Sequence, residues 1–175
     1  MRVGEIVGEP VGKLVGDLGV KIVSQPELID LARQLRDGGR TIALANGCFD
    51  LLHVGHVRYL EGAAAEADVL VVAMNDDESV RQLKGAGRPI LAADHRAVLV
   101  AALRVVDYVV VFSGPTVGPL LEALRPDVHC KGTDYTVESV PERDVVRAYG
   151  GRTAIVGDPK DHSTRDLLTR IGRTP

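Results

Sequence analysis

Residues 41–60 read TIALANGCFDLLHVGHVRYL, and the fold follows from how this stretch is divided. Thr41 to Ala45 is a short apolar run with β-branched residues, which predicts a buried strand, and a helix is expected to open from His53. Between them, Asn46 and Gly47 permit a sharp turn. Gly55 leaves the first helical turn without a side chain, so a phosphate can approach the free backbone N–H groups there. His53 and His56 are three residues apart and are expected on one helix face. Two imidazoles beside the positive end of a helix dipole can donate hydrogen bonds to phosphate oxygens, most strongly once charge builds up in a transition state. Nucleotidyl transfer is the chemistry that such a site suits.

Upstream, Pro26 starts a helix over PELIDLARQLRDGG, preceded by Ser24 or Gln25 and ended by Gly38-Gly39, with Leu28, Leu31 and Leu35 as its apolar stripe. Residues 1–24 repeat Val-Gly and Gly-Val pairs without a helical period or a good strand. They are read as an N-terminal extension ahead of a domain spanning 25–175, with a mobile tail, a sheet edge and a subunit contact all left open. Downstream, the histidine helix runs to about Ala67, and ADVLVVAMN then forms an almost unbroken apolar run ending at Asn75, as expected for a central parallel strand. VDYVVVF, DVHCKG and RTAIVG follow as further strands. The helical segments AADHRAVLVAALR, TVGPLLEALR and PERDVVRAYGG separate them, and a last helix near Ser163 carries Leu167, Leu168 and Ile171. This alternation predicts an α/β fold: a Rossmann-like, doubly wound, five-stranded parallel sheet with helices on both faces. Ligands of such sheets bind beyond the strand carboxyl ends at the topological switch point, and each candidate loop here follows a strand.

A chain of 175 residues with 45% hydrophobic content suits one well-buried domain. The formal net charge of −3 without a basic block argues against a nucleic-acid partner. Cys48 and Cys130, far apart in sequence, suit a reducing compartment and read as packed thiols rather than nucleophiles. The amino terminus lacks a signal-peptide pattern and no apolar run approaches about 18 residues, so a cytoplasmic protein with no membrane partner is expected.

The segment NGCFDLLHVGH, with its strand, Gly-containing turn and histidine pair, resembles the signature of the HxGH nucleotidyltransferases, and within them the chain is most similar to the heptose 1-phosphate adenylyltransferases, over about Pro26 to Ile171. The resemblance implies that His53 and His56 contact the nucleotide phosphates and stabilise the pentacoordinate α-phosphorus, with Asn46, Gly47, Cys48, Phe49 and Gly55 also on the nucleotide. Asp50 either orients a substrate hydroxyl or a cationic side chain, or caps the following helix. Asn75 and Asp77 match an Asn-x-Asp at the second strand end, Lys84-Gly85 and Arg88-Pro89 match a following segment that is flexible in the family, and Arg96 matches a helix arginine. Lys84 is expected to act as a mobile point charge and Arg88 and Arg96 to grip phosphate or substrate. The whole segment from Asp77 to Pro89 is expected to be mobile without ligand. Lys131, Gly132 and Asp134 fall in KGTDY, where relatives have KGGDY, so Thr133 replaces a glycine. Relatives place Ser-Thr-Thr at the start of the last helix; here Ser163 and Thr164 are followed by Arg165, an arginine able to reach the β- or γ-phosphate.

These features together predict a Mg²⁺-dependent adenylyltransferase in which a sugar 1-phosphate oxygen attacks the α-phosphorus of ATP and expels pyrophosphate, giving an ADP-heptose. A separate protein would supply the kinase step, and a homodimer is expected. Asp50, Asp76, Asp77 and Asp134 are possible magnesium ligands, and no spacing singles one out. Two other readings stay open: a cytidylyltransferase acting on glycerol 3-phosphate or a similar alcohol phosphate, and a nucleotide-binding regulator that has lost catalysis.

Overall fold

The alternating runs become a five-stranded sheet in the computed structural model, which describes residues 20–159, 168–169 and 171–172. Strands β1 (Ile42–Gly47), β2 (Val69–Asn75), β3 (Tyr108–Phe112), β4 (Val128–Gly132) and β5 (Arg152–Val156) lie in the order β3-β2-β1-β4-β5, all parallel. Between them run α1 (Gln25–Asp37), α2 (Val54–Ala64), α3 (Asp77–Lys84), α4 (Ala93–Ala101), α5 (Gly118–Leu124) and α6 (Arg143–Ala148). The chain moves from β1 to β3 through helices on one face and returns through β4 to β5 with helices on the other, as right-handed crossovers require. Each face has its own core. Ala43, Ala45, Val72 and Met74 pack under α2 and α4 with Leu60, Ala63, Ala97 and Val100. Ile42, Leu44, Val71 and Ala73 pack against α1, α5 and α6 through Leu28, Ala32, Leu121 and Val146. Successive strand residues point to opposite faces and both faces are covered, so β2 is buried along its whole length. Among the described residues no helix is long and apolar enough to cross a membrane.

Four boundaries differ from expectation, each for a local reason. Ordered structure begins ahead of residue 25: Ile22 bridges Val109 in parallel, and Val109 exchanges backbone bonds with Lys21 and Val23. Ser24 then caps α1 in a capping box with Glu27. β1 continues through Asn46 and Gly47, and the sharp turn falls instead at Phe49, whose φ is 47°. The helix after β1 stops at Ala64 rather than near Ala67. Finally, Asp77–Lys84 is helical rather than a loop. Asp76 caps it by accepting from the Ser79 N–H at 2.7 Å, acidic residues fill its first turn and basic ones its last, and Val80 is wholly buried beneath it.

At the switch point the sheet parts. Pairing of β1 with β2 persists to Gly47 opposite Met74, whereas pairing with β4 ends at Ala45 opposite Cys130. Beyond that, the hydroxyl of Tyr59 on α2 enters the gap, donating to the Cys130 carbonyl at 2.8 Å and accepting from the Asn46 N–H at 3.3 Å. Burial pushes the Tyr59 phenol up, so it stays a donor. Helix α2 comes this close because Gly62 and Gly157 lack side chains: a Cβ on Gly157, whose φ is 90°, would lie 3.1 Å from the Tyr59 Cα, and one on Gly62 would lie 3.0 Å from the Gly157 nitrogen.

Tyr59→Phe removes both bonds and leaves a buried carbonyl and N–H without the hydroxyl. Urea unfolding should show a loss of about 1–3 kcal/mol; an unchanged midpoint would contradict the bridge.

Candidate active site

Gly47 ends β1 over an aromatic ring. A Cβ at Gly47 would lie 3.1 Å from Phe49 Cε2, so glycine leaves room for that ring to fold back. The ring is buried, tilted at 56° to His56 with centroids 5.2 Å apart, and stacked on Tyr59 at 6.5 Å. The Phe49 ring, in a residue expected at the nucleotide, faces the core and supports His56 from beneath. His53 occupies the N-cap position with φ −142°, and α2 begins at Val54. The N-cap and the third helical residue lie on one side of the helix start, so the two imidazoles share a face there, as expected. They stack across the helix start, centroids 3.9 Å apart and 25° between planes. Gly55 lies in the first turn beside them, where helix N–H groups have no intrahelical acceptor and the dipole is positive.

Around this pair the loops are tied by buried charge. Arg96 is wholly buried: Nε donates to the Leu91 carbonyl at 2.9 Å, one terminal nitrogen to the carbonyls of Cys48 at 2.5 Å and Asn75 at 2.9 Å, and the other to the Asp77 carboxylate at 2.6 Å. Arg96 and Asp77, both expected at the substrate, thus bond each other. Asn75 is buried as well, its carbonyl taken by Arg96 and its Oδ1 3.8 Å from the Cys48 sulfur. Asp50 accepts from the N–H groups of Ile90 at 2.6 Å and Leu91 at 3.2 Å and from the Arg88 guanidinium. Of its alternatives it takes the one that orients a cationic side chain, and Asp50 and Arg88 together brace the loop after α3. Asp76 accepts from Ser79 and from the Ser113 hydroxyl.

The other wall of the crevice comes from the opposite face of the sheet. Asn46 Oδ1 lies 3.0 Å from His129 Nε2 and 3.4 Å from Lys131 Nζ. His129 and Lys131 are two apart on β4 and therefore point to one side. Burial, with Lys131 adding to it, pushes the His129 pKa down to about 3, so the ring is neutral. Lys131 is buried too, its ammonium 4.7 Å from the centre of the Tyr135 ring; burial lowers its pKa against the opposing charge of Glu142. Gly132 borders open space. Thr133 has no positive φ, so its replacement of a glycine costs no backbone strain, and its hydroxyl donates to the Asp158 carbonyl at 2.8 Å. Asp134 is exposed beside it. Lys84 stands exposed at the end of α3, and its charge is felt at Cys48. Burial raises the Cys48 thiol and pushes Cys130 up to about 12, so neither is a ready nucleophile. Ser163, Thr164 and Arg165 lie outside the described residues.

Among the described residues no group of three or more His, Cys, Asp or Glu is placed to hold a metal ion, and Asp50, Asp76 and Asp77 already have partners. A cleft of about 320 Å³ between Glu138, Arg143, Arg147 and Arg152 holds none of these residues. Tyr59 and His129 carry no motif signal. For His129 the clue was chemical: a polar residue in an otherwise buried strand, two before Lys131.

Residues 44–169 match the family described as Cytidylyltransferase-like. The chain is 45% identical over 151 residues to the Bifunctional protein HldE of Syntrophotalea carbinolica, covering 86% of this chain and 31% of the relative. It is 42% identical over 184 residues to the Bifunctional protein HldE of Azotobacter vinelandii, covering 94% and 39%. The chain thus spans about a third of the length of these curated relatives. The crystal structure of the lipopolysaccharide core biosynthesis protein from Thermoplasma volcanium shares the fold, with a TM-score of 0.60, 24% identity, and coverage of 70% of this chain and 100% of that one.

Two outcomes follow from this geometry. Arg96→Leu should cost about 3 kcal/mol in chemical unfolding, since it strands the Asp77 carboxylate and three carbonyls. Arg96→Lys should recover only part of that, one ammonium being unable to span the same acceptors; full recovery would argue against the fork. As for pH, the unfolded chain binds a proton at His129 from about 6.5 downward whereas the folded chain resists it to about 3. Its contribution to stability is therefore complete above pH 6.5 and lost as the pH falls. His129→Leu should flatten the plot of stability against pH in that window by about 1.4 kcal/mol per unit; an identical slope would contradict the buried neutral ring.

Proposed function

The chain belongs to the cytidylyltransferase-like family, and on that premise we propose that it transfers AMP from ATP to a heptose 1-phosphate, releasing pyrophosphate and forming an ADP-heptose. The observation that carries the reaction type is the stacked pair His53 and His56 at the amino end of α2, beside the crevice where β1 and β4 part. Support for the sugar comes from KGTDY at 131–135 and from relatives 42–45% identical that bear the HldE name.

In this reading an oxygen of the sugar phosphate attacks the α-phosphorus in line while the bond to the β-phosphate oxygen breaks. The acceptor is already anionic at neutral pH, so no general base is needed and no covalent enzyme intermediate forms. His53 and His56 donate hydrogen bonds to the α-phosphate as its charge grows, while the first-turn N–H groups of α2 add the helix dipole. Lys131 and Lys84 offset the repulsion between the two anions, and Asp134 and the Ser163-Thr164-Arg165 segment are assigned to the nucleotide by resemblance. Magnesium entering with ATP would add charge neutralisation to that of these side chains. ATP and a sugar phosphate are intracellular metabolites, which places the reaction in the cytoplasm.

The second reading, CTP with glycerol 3-phosphate, is favoured only by the description of the family itself. Pyrophosphate release measured with ATP and CTP, each against heptose 1-phosphate and glycerol 3-phosphate, should show the highest kcat/KM for ATP with the heptose; a higher value with CTP overturns the choice of base. His53→Ala and His56→Ala should each lower kcat by about 10²-fold or more with the melting temperature nearly kept. Near-normal turnover in both would remove the histidines from the chemistry.

A further inference from the structure

We infer that His129 is a positioning residue: by donating its Nε2–H to Asn46 Oδ1 it fixes the Asn46 amide with its nitrogen turned to the crevice, a ready donor for a nucleotide phosphate oxygen. This rests on the reading that a nucleotide occupies the crevice, and it adds a residue that neither the motif nor the comparisons point to.

The hydrogen-bond inventory of the cluster fixes the orientation. Asn46 Oδ1 has two donors near it, His129 Nε2 and Lys131 Nζ, while Nδ2 has no partner among the described residues. Flipping the amide would set its NH₂ against an ammonium and an N–H. The backbone of Asn46 is pinned as well, by the Tyr59 hydroxyl, so the side chain has a fixed base. The tautomer follows from the same count. A neutral imidazole has one N–H, and His129 Nδ1 is buried without a partner, so placing the proton at Nε2 leaves only a bare acceptor in the core. Even that acceptor is a cost that leucine or valine would avoid. Packing alone does not explain a histidine here. Lys131 cannot hold the amide by itself: its contact is longer, and its buried ammonium is the charge a phosphate would draw away. With Lys131 turned to the ligand, His129 remains to keep Asn46 in place.

The test uses the full chain, with His129→Leu and His129→Gln, whose amide can donate from a similar reach. Calorimetric titration of ATP and of CTP with magnesium should show affinity lowered about ten-fold in His129→Leu for whichever nucleotide binds, and returned to within about three-fold in His129→Gln. The melting temperature of His129→Leu at pH 7 should be equal or higher. A merely structural histidine predicts the reverse, a lower melting temperature with unchanged affinity, and that result overturns the inference. Nitrogen NMR of the imidazole at pH 7 should show the Nε2–H tautomer; an Nδ1–H tautomer or a charged ring also overturns it. A wild-type chain that binds neither nucleotide sinks the functional reading instead, and the tautomer then still decides whether His129 holds Asn46.

Discussion

The guanidinium of Arg96 lies out of water, and its bonds run to four different places: the turn after β1, the end of β2, the start of α3 and the loop before α4. Burying a charge this way costs several kcal/mol unless every direction is answered, and here one carboxylate and three carbonyls answer it. Asp50 does the same with opposite sign, collecting two backbone N–H groups and Arg88 from the loop after α3. Interlocking buried charges therefore tie the rim of the crevice together. Electrostatic stabilisation is most effective when the donors need not reorganise, and the stacked histidines stand on this rim.

The same arrangement sorts charge by direction. Asp77, Asp50 and Asp76 turn to Arg96, to Arg88 and to the cap of α3, while Asn46, Lys131 and the amino end of α2 are left toward the gap. A polyanion entering between β1 and β4 meets donors from both faces of the sheet. The Tyr59 hydroxyl keeps the gap from closing into one more pair of ladder bonds, so the opening is built from a side chain of the very helix that bears the histidines.

Much of the fold was legible because parallel strands covered on both faces become unbroken apolar runs, as in VLVVAMN, and because NGCFDLLHVGH joins a strand, a turn and a helix start. The failures share a cause. Asp77–Lys84 has end charges and a cap that favour a helix, yet it buries only Ser79 and Val80, so no periodic stripe marks it. That Arg96 and Asp50 are buried in ion pairs was not legible, because one-dimensional spacing cannot separate a buried charge from an exposed one. Phe49 was ambiguous in the same way. His129 stayed hidden since its partner Asn46 is 83 residues away and only the β1–β4 pairing brings them together.

The bridge from Ile22 to Val109 lies on the outer side of β3, one of the two margins of the sheet. Open margins are templates for unwanted strand addition, and proteins blunt them with covering chain or with charge. Here the two margins are treated differently. The chain folds its own segment 21–23 over one, while beside the other, at β5, stand the long cationic side chains of Arg143, Arg147 and Arg152. Among the described residues, a strand adding at β3 would first have to displace segment 21–23, so self-association through that margin of the sheet is discouraged by occupancy.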